Sequence, residues 1–320
     1  MPLLLHITAP GNNYRLWAHE LHNQRILHWS HPLQLTHFPT TYEKDRITDG
    51  LDIFFWIFNS THGFVATHWH RALEINYVLE GEVDIMVNGK KNVLLPGDLF
   101  LIDSFLPHSV SSQKGNRAIL IQLPYTLLKR YIPDIENLIF KIDNTTCDPK
   151  ERTKIDQFIE IITKMQILFE FKPKGSKLRF NSLVFEMMYQ LYHNFSEPLS
   201  ENDLSKRQKN FELITRIMDY TNEHYMEGVS LSDIADVVCF QKEYFCHFFK
   251  KNMGMTYLEY LCELRLSHIC SDLLETELSL KSILEKNGFT NYKLFRRLFF
   301  EKFGMTPTRY RRRDRSQADH

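Results

Sequence analysis

The sequence predicts an α+β multidomain protein, β-rich at its N-terminal end and all-α at its C-terminal end. Three observations carry this. Short alternating apolar runs broken by Gly, Pro and Asn fill roughly the first 125 residues. After Pro124 the apolar spacing shifts to a period near 3.6. Beyond residue 210 one helical pattern occurs twice. The 320 residues suit about two domains at roughly 100–200 residues each.

The β part is read in order. Ile53–Phe58 is aromatic and β-branched, and Glu74–Leu79 alternates up to Gly81. Val83–Val87 and Lys91–Leu95 flank Asn88-Gly89, a strong hairpin signal because both turn positions need φ > 0. Pro96-Gly97-Asp98 turns into Leu99–Ile102, and Ala118–Leu123 is a further strand. Such strands close into a barrel or sandwich. Lys154–Phe169 and Leu178–Tyr192 carry helical apolar stripes. Residues 196–210 are polar, contain Pro198, and read as a linker.

Composition excludes several classes. Hydrophobic residues make up 43% and charged residues 24%, so the chain is neither disordered nor fibrous. Five cysteines without a CxxC pair do not make a secreted disulfide framework or a zinc ribbon. The start lacks a basic n-region and a long apolar run, which is unlike a signal peptide. The longest apolar run near a strand, Ile53–Phe58, is far short of the roughly 20 residues that span a bilayer. The expectation is a cytoplasmic protein. Lys and Arg number 39, as do Asp and Glu, so the formal net charge is zero. That sum argues against a polyanion partner only if no local patch hides in it.

The repeat uncovers such a patch. Leu231–Phe240 lies over Leu280–Phe289. Phe245, Phe249, Gly254-Met-Thr256 and Tyr260 then lie over Phe295, Phe299, Gly304-Met-Thr306 and Tyr310. A short helix, a tight turn and a second helix of about 12 residues is helix-turn-helix grammar. Ser230 with Asp233, and Thr256 with Glu259, have N-cap spacing. Thr306-Pro307 sets a cap before a proline at the first helical position. Gly254 and Gly304 sit where a helix ends left-handed. Phe245, Phe248 and Phe249, like Phe295, Leu298 and Phe299, are core. The opposite faces carry Glu243 and His247, with Lys242 and Lys251 nearby, in the first unit, and Lys293 and Arg297, with Tyr292 and Arg296 beside them, in the second. Residues 279–313 hold ten Lys/Arg against Glu285 and Glu301. A basic run is ordinarily a solvated face, but here it coincides with a helix-turn-helix, and Arg and Lys can reach phosphates or a guanine edge.

The string Gly288-Phe-Thr-Asn-Tyr-Lys-Leu-Phe295-Arg-Arg-Leu-Phe299-Phe-Glu-Lys-Phe-Gly304-Met-Thr-Pro307-Thr-Arg-Tyr310-Arg311 resembles the AraC/XylS family of transcription regulators. So does the join Arg265-Leu-x6-Leu273-Leu274. The resemblance covers residues 211–313 and implies that helices near 241–252 and 291–302 enter successive major grooves of double-stranded DNA. By position, Glu243, Cys246 and His247 would face bases in one groove, and Tyr292, Lys293 and Arg297 in the other. A connecting helix of about 17 residues would span about 25 Å, compared with roughly 34 Å per DNA turn. The sequence departs from the pattern at Gln241, where Ser is usual, and at Ile269 and Leu284, where small residues are common. The first unit is poor in Arg, so the second is expected to supply more of the affinity.

A second constellation lies in the β part. His68 and His70 are two apart, so they would share one face of a strand. Glu74 begins the next strand, and His108 comes from a later one. Three histidines and a carboxylate form a plausible ligand set for Fe, Mn, Ni or Zn. The stretch over about residues 60–110 resembles the two cupin motifs, although the second motif is loose. Three readings follow. His68, His70, Glu74 and His108 form an effector pocket, which is the reading adopted. They hold a divalent metal, in a metal-dependent cupin enzyme fused to a DNA-binding module or as a metal site without turnover. Or they are an internal hydrogen-bonded cluster.

The resemblance thus implies a non-enzymatic regulator without an expected cofactor. A cupin-like barrel with an N-terminal extension spans 1–125, and the helices flanking it form a dimerisation segment over 126–195. A linker covers 196–210, the double helix-turn-helix 211–313, and a tail 314–320. His-Trp-His-x3-Glu-Ile-Asn-Tyr-Val-Leu-Glu-Gly is similar to sensors of Gram-positive sugar-operon regulators. The effector expected from this is a sugar, an α-galactoside such as raffinose or melibiose. A virulence or stress regulator with another effector is the alternative. Activation, with RNA polymerase as partner, is the expected mode, and a homodimer the expected assembly.

Overall fold

The computed structural model describes residues 47–48, 51–60 and 63–318, with side chains up to Arg312. The expected N-terminal extension, residues 1–46, lies outside the described residues.

Eight strands form two four-stranded sheets. Strands β1 (Phe54–Ser60), β8 (Asn116–Leu123), β3 (Leu73–Gly81) and β6 (Leu99–Ile102) make one, in that order. Strands β2 (Gly63–His68), β7 (His108–Ser112), β4 (Val83–Val87) and β5 (Lys90–Leu94) make the other. Asn88 and Gly89 join β4 to β5 with φ of 51° and 72°, as the hairpin reading requires. Two strands lack an alternating apolar run and enter the sequence reading only as the strands that carry His68 and His108. β2 is broken by a bulge between Val65 and His68, and β7 has the polar sequence His-Ser-Val-Ser-Ser.

Period-two alternation sorts the first sheet. Glu74, Asn76 and Val78 of β3, with Ala118, Leu120 and Gln122 of β8, point into the barrel. The intervening Leu73, Ile75, Ile119, Ile121 and Leu123 join a core outside it. That core is completed by helices α1 (Tyr125–Tyr131), α2 (Pro149–Phe171) and α3 (Ser176–Asn194). Phe158, Ile162, Met165, Leu183 and Met187 form the inner faces of α2 and α3. Each such fully buried apolar side chain contributes about 1.5–3 kcal/mol. These helices therefore cover the barrel. Their outer faces leave Phe171, Leu178, Phe185, Tyr189 and Tyr192 exposed.

The polar stretch read as a linker is ordered. Ser196–Pro198 forms strand β10, paired with β9 (Leu138–Phe140). Glu201–His224 is helix α4, and Ser200 caps it by accepting from the Asp203 N–H. Polar residues suit a helix whose solvent face dominates. Arg207 anchors it by donating to Asp103 Oδ2 (3.0 Å), Ser104 O (2.7 Å) and Leu138 O (3.1 Å). Burial pushes the Asp103 carboxyl up to about 6, against the pull of Arg207. A raised folded-state value for an acid means that the native state binds the extra proton between about pH 4 and 6. Stability should fall by about 2–3 kcal/mol as pH rises through that window. Thermal melts of Asp103→Asn should lack this slope, and an unchanged slope would contradict the assignment.

The C-terminal part is two helix-turn-helix units. Helices α5 (Leu231–Val237) and α6 (Lys242–Met253) form the first, α8 (Leu280–Lys286) and α9 (Tyr292–Phe303) the second. Helix α7 (Tyr257–Glu275) connects them, and α10 (Pro307–Ala318) follows. Helix α10 continues past residue 313, so residues 314–318 belong to a helix instead of the expected tail. Ser230/Asp233 and Thr256/Glu259 both form full capping boxes. Gln241 makes no side-chain cap, in keeping with the departure noted there. Gly254 and Gly304 end α6 and α9 with φ of 72° and 62°. Gly254 also meets the β4–β5 turn, where a Cβ would lie 2.0 Å from the Gly89 nitrogen. Ile269 and Leu284 are buried in the core of the second unit, which explains the larger residues there.

Candidate functional site

On both second helices the aromatic stripe is dry and the other face wet. Phe245 and Phe249, and Phe295 and Phe299, are fully buried. Lys242, Glu243, His247, Tyr292, Lys293, Arg296 and Arg297 are exposed. Cys246 is half-buried against the first unit's core, so it is the least available of the expected DNA-facing residues. The Arg296 guanidinium lies 6.0 Å from the Tyr292 ring centroid, and Arg297 is loosely paired with Glu301 at 3.9 Å. Lys302, counted in the basic run, is instead half-buried in an ion pair with Glu263 of α7.

The second site is inside the barrel. His68, His70, Glu74 and His108 are all buried, with one potential ligand atom of each within 4.8 Å of the others. The same-face argument for His68 and His70 needs correction. β2 ends at His68, and His70 lies beyond it in irregular chain. What orients the rings is a shared device. His68 Nδ1 lies 3.0 Å from Ala66 O, His70 Nδ1 2.9 Å from Ala72 O, and His108 Nδ1 2.8 Å from Leu106 O. A carbonyl only accepts, so each Nδ1 carries the proton; in a neutral ring Nε2 then presents its lone pair, whereas His70 Nε2, 2.8 Å from Glu74 Oε2, bonds to that carboxylate only as an N–H donor.

Two residues missed by sequence reasoning complete the cluster. Asn76 Nδ2 donates to Glu74 Oε1 (2.8 Å), and Gln122 Nε2 to Glu74 Oε2 (3.0 Å). Asn76 is readable as two residues from Glu74 on the same strand face. Gln122 requires the β3–β8 register, which pairs it with Glu74. Burial pushes the Glu74 carboxyl up, but the neighbouring His108 and His70 outweigh this and hold it well below the usual carboxylate range. Burial, with His108 and His70 alongside, pushes His68 well below the usual imidazole range, so it is neutral at pH 7.

These residues fit a divalent metal. His108 Nε2 is buried without a hydrogen-bond partner among the described residues and lies 3.7 Å from Glu74 Oε2. His70 Nε2 lies 2.8 Å from the same oxygen. Ligands about 2.0–2.2 Å from a common ion lie about 3–3.5 Å apart when adjacent, so little adjustment is needed. His68, His70, His108 and Glu74 would hold the ion, and Asn76 and Gln122 would orient the carboxylate. When bound, such an ion supplies a Lewis-acid position for an oxygen ligand. The cluster adjoins a pocket lined by Phe58, Val65, Val110 and Leu120, and by the polar Ser60, Ser111, Ser112 and Asn116.

Comparison with known proteins finds a domain match over each of the two regions. Residues 234–313 match the model of a helix-turn-helix domain, and residues 56–122 that of a cupin domain. The melibiose operon regulatory protein of Escherichia coli (strain K12) is 23% identical over 266 residues, covering 80% of this chain and 86% of that protein. An uncharacterised HTH-type transcriptional regulator of Staphylococcus aureus (strain COL) is 23% identical over 240 residues, 75% of this chain and 31% of that longer protein. Among solved structures, ToxT from Vibrio cholerae is 14% identical, with a TM-score of 0.44, covering 81% of this chain and 98% of that one. The chain is thus a DNA-binding transcription regulator. A cupin domain stands ahead of the helix-turn-helix domain, the arrangement that the resemblance to AraC-type regulators implies. No helix among the described residues is long and apolar enough to cross a membrane.

Proposed function

We propose that the chain is an effector-responsive, sequence-specific activator of a carbohydrate operon, with an oligosaccharide or α-galactoside as effector. The observation that carries the sensing role is the buried His68/His70/Glu74/His108 cluster beside an interior pocket. Asn76, Gln122 and the pocket's Ser and Asn side chains offer the donors and acceptors that sugar hydroxyls require. The similarity to the melibiose operon regulatory protein supports the sugar class. The barrel binds its effector without turning it over. On DNA, Lys242, Glu243 and His247 of α6, and Tyr292, Lys293, Arg296 and Arg297 of α9, form the contact surface. The 19-residue α7 spans about 28 Å, which can hold the two helices on one DNA face. The exposed apolar residues of α2 and α3 form the homodimer surface, and RNA polymerase is the further partner of an activator.

A thermal-shift screen of sugars on the full chain, followed by operator footprinting, tests this reading. A true effector at 100 times its Kd should add about 2.7 kcal/mol of stability. A response confined to non-sugar ligands would overturn the carbohydrate assignment. Manganese or zinc retained by the purified protein, and lost in His68→Ala/His70→Ala, would establish the cluster as a metal site. Equal metal content in both proteins would refute that role.

A further inference from the structure

The chain from the end of β2 into the β2–β3 connection, residues 67–70, faces two ways, residue by residue. His68 and His70 point into the cluster. Thr67 and Trp69, the alternate residues, point into the DNA-binding half. Thr67 donates through its N–H (3.2 Å) and its hydroxyl (2.8 Å) to Glu263 Oε2 of α7. The other oxygen of Glu263 pairs with Lys302 of α9. Trp69 is 2% exposed and belongs to the core of the first helix-turn-helix unit, with Ile214, Phe245 and Phe249. Its ring meets Phe211 of α4 edge-on, centroids 4.7 Å apart. A second segment supports the same joint: the Phe105 N–H donates to His70 O (3.0 Å), and the Phe105 ring packs on Phe211 at 4.6 Å. Phe105 holds φ of 69°, a strained backbone that its surroundings must maintain.

Resting on the reading of the cluster as the sensing site, we infer that Trp69 and Thr67 are the coupling residues of the regulator. Anything that repositions His68 or His70 moves Trp69 and Thr67 with them, because three peptide units connect the four residues. Trp69 then acts on the packing of the first helix-turn-helix unit. Thr67 acts through Glu263 on α7, and through Lys302 on the second unit. One short segment therefore addresses both DNA-reading units. Close-packed cores transmit such shifts because they deform little.

The test is backbone hydrogen exchange of the full chain with and without Mn²⁺, a hard ion that prefers imidazole and carboxylate to the five free thiols. In the unaltered protein Mn²⁺ should slow exchange across 245–263 by at least about fivefold, the low end of typical site-to-site coupling. In Trp69→Ala the ion should still bind and still protect the barrel, but the effect on residues 245–253 of α6 should vanish. Glu263→Ala, which leaves the Trp69 packing intact, should abolish the effect in α7 and α9 alone, so the inference does not depend on Trp69→Ala folding. Protection of 245–253 persisting in Trp69→Ala, together with protection of 257–263 persisting in Glu263→Ala, would overturn it. If Mn²⁺ does not bind the unaltered protein, the metal reading of the cluster fails separately. His68→Ala/His70→Ala then tests the coupling: it should change exchange over 245–263, and no change there would overturn the coupling as well.

Discussion

A full-length chain carrying Lys293→Ala and Arg297→Ala should bind its selected operator roughly 30-fold to about 25,000-fold more weakly, at about 1–3 kcal/mol for each side chain that no longer reaches a base edge. The two side chains lie one turn apart on α9, opposite the stripe of Phe295 and Phe299, and both are exposed. Arg297 has only a loose tie to Glu301, so little must be broken for it to reach DNA. The loss should be selective, because base contacts specify while phosphate contacts position. One half of the operator should tolerate substitutions that the unaltered protein rejects. A loss equal across all sequences would mean that these residues touch only phosphate. The corresponding change in the first unit, Glu243→Ala with His247→Ala, should matter less, since α6 presents an acid and no Arg. Binding should weaken steeply with salt throughout, because the basic charge is concentrated on this face.

Glu74→Ala carries the other large effect. It removes the carboxylate on which Asn76, Gln122 and His70 converge in the barrel interior. Breaking a buried charge cluster by deleting one member costs about 3–5 kcal/mol, since the remaining polar groups stay buried and unpaired. Because the Glu74 carboxyl is held below its ordinary value of 4.5, its contribution is present above that pH and is lost only as pH falls through the lower folded value. Glu74→Gln keeps the shape and one acceptor, so it should destabilise less, yet it should still weaken metal binding. Denaturant melts of the two variants near pH 7 separate these effects. Equal stability of Glu74→Ala and the unaltered protein would mean that the cluster contributes nothing to the fold.

How much of this is legible in the sequence follows from the physics of each element. The helix-turn-helix pair is readable because local signals coincide: aromatic stripes at helical spacing, capping residues and C-terminal glycines, all within one turn of where they act. The β4–β5 hairpin is readable from Asn88-Gly89 for the same reason. β7 is readable only as the strand that carries His108, because its polar sequence is held in place by partners elsewhere. Helix α4 reads as a linker because Pro198 and a polar run imitate a loop. Its order depends on the Ser200 cap and on Arg207 reaching Asp103, over a hundred residues away. The four cluster residues do come together, but the sequence argument for them holds only in part. His70 joins them through its Nδ1 bond to Ala72 O, not through strand alternation. The role of Trp69 is hidden, since a tryptophan between two histidines gives no local sign that it belongs to another domain's core.

The central claim is that occupancy of the barrel changes the affinity of the helix-turn-helix pair for DNA. Calorimetric titration of the effector found by the sugar screen, into the full chain alone and into its complex with operator, tests it most directly. Coupling between binding sites is reciprocal, so operator DNA should shift effector affinity by the same factor that effector shifts operator affinity, typically about 5–150-fold. Equal effector affinity with and without operator would contradict the claim.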